Sequence, residues 1–147
     1  MGNIYLMDNG SLYFIGRNDL RMFDFVTTVV YPTMIRQFWD IGDSITDIVM
    51  GNNTIYFLTT KGILYGCGRN QYNNLYETGS ANGGPVVINP MKIDSSWWNN
   101  LPVLCIGTYG DSLLISTGVS VIGKGLINGT TYSTWTILSS EIGRAHV

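Results

Sequence analysis

The chain has 147 residues, 45% of them apolar, with eight basic against ten acidic side chains and a formal net charge of −2. That is one domain's worth of chain, too apolar and too weakly charged to be disordered. Charged residues make up only 12%, eighteen glycines occur, and alanine and glutamate appear twice each, so strong helix formers are scarce while strand formers abound.

Two apolar runs come first, Ile4 to Met7 and Ser11 to Ile15, separated by Asn9-Gly10. That spacing predicts a type I′ hairpin, with both central residues at positive φ. Further strands are predicted over Thr33 to Phe38 and Ile45 to Met50. Ile55 to Leu58 follows, with Lys61-Gly62 in the hairpin position. Val86 to Ile93 and Val103 to Ile106 come next, then Leu113-Leu114-Ile115 and the stretch from Gly118 to Gly123. A sheet with one wet face alternates apolar and polar residues. These runs hardly alternate, which suits strands packed on both faces.

The last seven residues, Glu141 to Val147, break the composition: they hold one of the two alanines, one of the two glutamates and the single histidine. The string resembles a translated sequencing adapter and is read as a non-native tail, leaving residues 1 to about 140 as the natural segment. That segment has no histidine.

The strongest signal is repetition. Gly10 to Asn18 and Gly62 to Asn70 are identical at six of nine positions at a shift of 52: the two glycine pairs, Leu12/Leu64, Tyr13/Tyr65, Arg17/Arg69 and Asn18/Asn70. Upstream, Ile4-Tyr5-Leu6 is aligned with Ile55-Tyr56-Phe57 by inserting one residue before the glycine. Downstream, Phe23 answers Leu75, and Pro32 to Ile35 answers Pro90 to Ile93 after a six-residue loop insertion. Ile48 to Gly51 matches Leu104 to Gly107, opening a third, shortened unit. Stacked-repeat folds carry this kind of periodicity. The expected fold is all-β: a partial β-propeller of about two and a half four-stranded antiparallel blades. The units run over about 1–50, 51–106 and 107–140, with the tail at 141–147.

Gly62-x-Leu64-Tyr65-x-x-Gly68-x-Asn70, then Leu75 and Pro90-x-x-Ile93, resembles the repeat of the regulator of chromosome condensation family, and Val49-Met50-Gly51 resembles its glycine turn. Asn73-Asn74-Leu75-Tyr76 stands where the family has Gly-Gln-Leu-Gly. Phe14-Ile15 and Gly66-Cys67 replace its tryptophan. Asn52-Asn53-Thr54 and Thr108-Tyr109-Gly110 stand at the family's histidine. The resemblance implies a seven-bladed propeller and a protein partner, with a small GTPase among the candidates because the founding type exchanges guanine nucleotide.

Site residues are harder to read. Arg17 and Arg69 recur beside Asn18 and Asn70, either lining a partner surface or holding a loop through backbone hydrogen bonds. Asp8, Asp19, Asp24, Asp40, Asp43 and Asp47 are spaced as turn residues. Trp97-Trp98 is read as a strand pair with one ring in the core, or as an exposed anchor. Cys67 and Cys105, 38 residues apart, read as core thiols. Asn9-Gly10-Ser11, Asn52-Asn53-Thr54 and Asn128-Gly129-Thr130 are glycosylation triplets read as turns. Gly83-Gly84 would suit a kelch propeller, but the first unit lacks the doublet. No basic cluster marks a nucleic-acid footprint, no apolar run spans a membrane, and no secretory leader is visible. An intracellular place, cytoplasmic or nuclear, is therefore favoured. Catalytic, metal and cofactor residues are all expected to be none, and the partner-binding residues stay unassigned. The leading function is a noncatalytic protein-interaction module, a piece of a larger propeller whose other blades lie elsewhere in the same protein. The alternative is a guanine-nucleotide exchange factor for a small GTPase. The length difference around Gly79 to Pro85 is where partner specificity is expected, and the isolated chain is expected to self-associate.

Overall fold

The computed structural model describes residues 1–78 and 84–139. The tail at 141–147, most of the insertion between Gly79 and Pro85, and Gly83 of the glycine doublet lie outside the described residues.

Among the described residues the chain forms eleven strands and two short 3-10 turns, in three antiparallel sheets. The first sheet is β1 (Asn3–Leu6), β2 (Leu12–Arg17) and β3 (Thr28–Ile35). The second is β4 (Ile45–Met50), β5 (Thr54–Thr59), β6 (Leu64–Gly68) and β7 (Val87–Lys92). The third is β8 (Cys105–Gly107), β9 (Ser112–Ser116), β10 (Val121–Ile127) and β11 (Thr130–Ser139). The all-β propeller reading holds. Sequence unit and sheet are out of phase: β4 closes the first stretch of about fifty residues yet pairs with β5 in the second sheet.

The repeat is more regular than the sequence alignment. Tyr5 pairs with Tyr13 and Leu6 with Leu12; Phe57 pairs with Tyr65 and Leu58 with Leu64. Strand β1 therefore maps onto β5 at the same shift of 52 found downstream. The inserted residue does not exist. Tyr5, not Leu6, corresponds to Phe57, and the chance likeness of Ile-Tyr pairs misled the alignment. The error matters because a one-residue slip turns every side chain to the opposite face.

The hairpin also differs from expectation. Gly10 has φ of +87° whereas Asn9 is not in the positive-φ region. The Gly10 amide donates to the Met7 carbonyl and the Met7 amide to the Ser11 carbonyl, both at 2.9 Å. This is a three-residue loop, a tight turn followed by a left-handed glycine. The Thr59–Ile63 connection repeats it, with Gly62 at φ +82°. A two-residue hairpin with both residues at positive φ does occur, at Asn128 (φ 49°) and Gly129 (φ 78°), between β10 and β11.

Strand β3 ends at Ile35, opposite Leu12, because β2 offers no further partner. Phe38 therefore leaves the sheet and packs on Phe57 and Tyr65, with ring centroids at 4.8 and 5.3 Å. The third sheet is complete rather than shortened. Its last strand was hidden in Thr130 to Ser139, a run rich in the Thr, Tyr, Trp and Ile that favour strands.

Two cores separate the three sheets. Alternate residues of β5 and β6 supply both: Ile55, Phe57, Tyr65 and Cys67 pack against Leu12, Phe14, Phe23 and Ile35. Tyr56, Leu58 and Leu64 pack against Leu113, Ile115, Ile122 and Trp135. Strands β5 and β6 are buried along their whole length. Their lack of alternation is thereby explained: both faces are wanted, each by a different neighbour.

Candidate interaction surface and inter-sheet cleft

The sheets have two ends. The hairpins at Gly10 and Gly62 emerge at one. The segment 18–27 after β2 and the described residues 69–78 after β6 emerge at the other, together with the turns at 51–53 and 108–111. Each inner strand β2, β6 and β10 reaches this loop end through a glycine of positive φ: Gly16 (115°), Gly68 (112°) and Gly125 (94°). At Gly68 a side chain would run into the backbone of Asn53 and Thr54. The three positions are structurally equivalent.

After the first two of these glycines the chain carries Arg and Asn. Asn18 is buried, donates from Nδ2 to the Met22 carbonyl at 2.8 Å, and accepts from the Met22 amide at 2.9 Å. Asn70 is fully buried, donates to the Tyr76 carbonyl at 3.0 Å, and accepts from the Leu75 amide at 2.8 Å. A carboxamide suits this work, since it donates and accepts through one flat group. The loop-holding role read for the arginines belongs to these asparagines. Arg17 is exposed and bonds Asp19 at 2.9 Å, and Arg69 is exposed at the same position of the next sheet. In the third sheet the equivalents are Leu126 and Ile127, and the long loop gives way to the Asn128-Gly129 hairpin. Asparagine appears where there is a loop to hold.

The remaining candidates separate. Asp43 accepts from the amides of Ser44 and Lys61, Asp47 from Ile48, and Asp94 from Ser96. For Asp43 and Asp94 this is turn chemistry, whereas Asp47, expected in a turn, lies within β4 at the irregularity in its pairing with β5. Hydrogen bonds from the Ser96 amide and hydroxyl hold the Asp94 carboxyl below its ordinary range. Trp97 and Trp98 lie on a 3-10 turn, Ser96–Trp98, not a strand; Trp98 is in the core, against Trp135 at 5.1 Å, and Trp97 is 45% exposed. The thiols differ too. Cys67 is buried, and burial pushes its pKa up, whereas Cys105 is exposed on the edge strand β8. Among the described residues no cluster of three metal-ligating side chains occurs, and no helix is long and apolar enough to cross a membrane.

One group was missed in the sequence. Lys124 on β10 is buried, its side chain 3% exposed, with Nζ 2.6 Å from Glu77 Oε1 and 5.3 Å from the centre of the Trp135 ring. It stands in a cleft of about 490 Å³ between the second and third sheets. The available signal was positional: the residue before the glycine of β10 corresponds to Ile15 and Cys67, both apolar.

Residues 45–74 match the regulator of chromosome condensation (RCC1) repeat. No curated protein sequence matches the chain significantly. Among solved structures, human WBSCR16 is similar at 20% identity and a TM-score of 0.61, over 93% of this chain and 37% of that one. Prp20p from Saccharomyces cerevisiae, whose binding to Gsp1p and histones was described with its structure, is similar at 16% identity and a TM-score of 0.69, over 92% of this chain and 36% of that one. Yeast RCC1 (Prp20), bound to Kap60, is similar at 16% identity and a TM-score of 0.60, over 84% of this chain and 30% of that one. The chain thus spans 30–37% of the length of these solved proteins. Three stacked antiparallel sheets and the matched stretch together make the chain a partial β-propeller that carries a regulator of chromosome condensation repeat.

Proposed function

We propose that the chain is a noncatalytic protein-interaction module, one part of a larger propeller protein. The observation that carries this reading is the loop end of the first two sheets. Among the described residues, the stretches that follow β2 and β6 there are each pinned by a buried asparagine, and each has an exposed arginine at its base. Loops held by a rigid scaffold are where recognition concentrates. Arginine is among the residues enriched at binding hot spots. The test is calorimetric titration of the full chain with a small GTPase and, separately, with core histones. Binding to one of them, weakened about tenfold or more in the Arg17→Ala/Arg69→Ala double variant at unchanged melting temperature, is expected. Absence of binding to both, or equal binding by the double variant, overturns the reading.

The second reading is a guanine-nucleotide exchange factor for a small GTPase. It rests on the likeness to Prp20p, described as binding Gsp1p, and fold likeness alone does not carry activity. Release of a fluorescent guanine nucleotide from the GTPase decides it. No acceleration by the complete propeller protein removes this alternative and leaves the first reading standing.

A further inference from the structure

We propose that the open edge of β11 is the surface through which two copies of this chain pair, β11 against β11 and antiparallel. The sheet edges carry the first part of the argument. An edge strand offers unpaired N–H and C=O groups to any extended chain, and folded proteins blunt such edges with short strands, charges or proline. Among the described residues the three sheets end on six strands, and five of the six are blunted. Strands β1 and β8 have only four and three residues. Strand β4 carries Asp47, β3 contains Pro32 and β7 contains Pro90. Strand β11 runs for ten residues, Thr130–Ser139, with neither proline nor charge. The repeat makes the comparison direct. Pro32 stands next to Thr33, which pairs with Phe14, and Pro90 stands next to Met91, which pairs with Gly66. The same place in β11, next to Thr136 opposite Gly123, holds Trp135.

Register supplies the second part. Strand β11 pairs with β10 alone. Ile127 and Thr130 close the two-residue hairpin as a hydrogen-bonded pair, so Thr131, the next residue, turns its N–H and C=O away from β10. The alternation continues through the pairs Gly123–Thr136 and Ile122–Ile137 and turns the backbone of Ile137 outward as well. Alternating donors and acceptors along an edge are complemented by another extended backbone. A second copy is the occupant because β11 meets the demands on both sides of such a pair. It is rich in the Thr, Tyr, Trp and Ile that favour strands, and it brings no like charges face to face. The other edges of the incoming copy are short, charged or interrupted by proline. A strand paired antiparallel with its own copy also closes on a two-fold axis, which ends the assembly at two. Exposed Ile137 and Leu138 lie beside the edge and lose water on pairing.

The test uses the full chain with Tyr5→Thr and Tyr13→Thr, which make the outer face of the first sheet polar and so separate edge pairing from face packing. Light scattering is expected to give a dimer. Adding Thr131→Pro and Ile137→Pro, at positions whose N–H groups β10 does not use, is expected to halve the mass with an unchanged circular dichroism spectrum. Hydrogen exchange on the chain with β11 intact gives a second readout that needs no proline. Residues 130–139 are expected to gain amide protection as concentration rises, whereas 28–35 and 87–92 do not. A capped peptide of residues 130–139 is expected to dissociate the dimer at about tenfold lower concentration than its scrambled version. A monomer at every concentration overturns the proposal, as does an oligomer indifferent to the prolines or an exchange pattern independent of concentration. Equal action of the scrambled peptide also overturns it, since the edge would then accept any extended strand.

Discussion

At the scale of single residues, two asparagines organise the loop end. Asn18 and Asn70 each close a loop by bonding backbone on both sides of one carboxamide. Replacing Asn70 with Ala strips the Leu75 amide and the Tyr76 carbonyl of their partner, and a buried polar group left bare costs about 1–3 kcal/mol. Asn70→Ala is therefore expected to lower the urea midpoint markedly, while Arg69→Ala leaves it unchanged; equal shifts would contradict the division of labour. The thiols give a second residue-scale prediction. Cys67 is buried and held as a thiol, and Cys105 is exposed. The thiolate is the reactive form, so a thiol reagent at pH 8 should label one cysteine of the native chain quickly and the second after unfolding. Two fast equivalents would count against the buried placement.

At the scale of elements, the two equivalent hairpins separate conformational cost from steric cost. Gly10 and Gly62 share nearly the same positive φ. A Cβ on Gly10 would meet nothing within 4 Å, whereas on Gly62 it would press on Pro102 and the Val103 amide at 2.6–2.8 Å. The Gly62 carbonyl also accepts from Val103 at 3.0 Å, tying the hairpin to the segment that leads into β8. Gly10→Ala is expected to cost about 1–2 kcal/mol, the price of a left-handed alanine. Gly62→Ala must add displacement of backbone and should cost at least twice as much by chemical denaturation. Hairpin sites were legible from Gly next to a polar residue between apolar runs. The loop type was not, because Asn9 reads equally well as the first residue of a two-residue turn or the middle of a three-residue one. The structure uses it as the latter, with its side chain accepting from the Ser11 amide.

At the scale of the whole molecule, cohesion comes from contact between sheets. Tyr65 and Tyr13 occupy the same register position, opposite Phe57 and Tyr5 respectively. Tyr65 is buried against the first sheet, while Tyr13 is half-buried and Tyr5 is 49% exposed. The surroundings differ because, among the described residues, no sheet packs on the outer face of β1 and β2. Exposed apolar surface of this kind is uncommon on soluble monomers, and repeat folds require covered terminal units. The 147-residue chain alone is expected to run as oligomers or aggregates in light scattering coupled to gel filtration; a monodisperse monomer would show that the bare face is tolerated.

Much of this architecture could be read before any coordinates. Spacing of Gly, Leu-Tyr, Gly and Asn at a shift of 52 was enough to establish repetition, and continuous apolar runs were enough to place strands between two neighbours. Both are local properties, carried by residue type and period. Tertiary structure decided what depends on pairing: that β1 maps onto β5 without an insertion, and that β4 belongs to the sheet after it. It also decided that Lys124, unremarkable as one of eight cations, is buried against a carboxylate from the preceding sheet. Sequence period tells which residues recur, but only the register between strands tells which face each side chain takes and what it meets there.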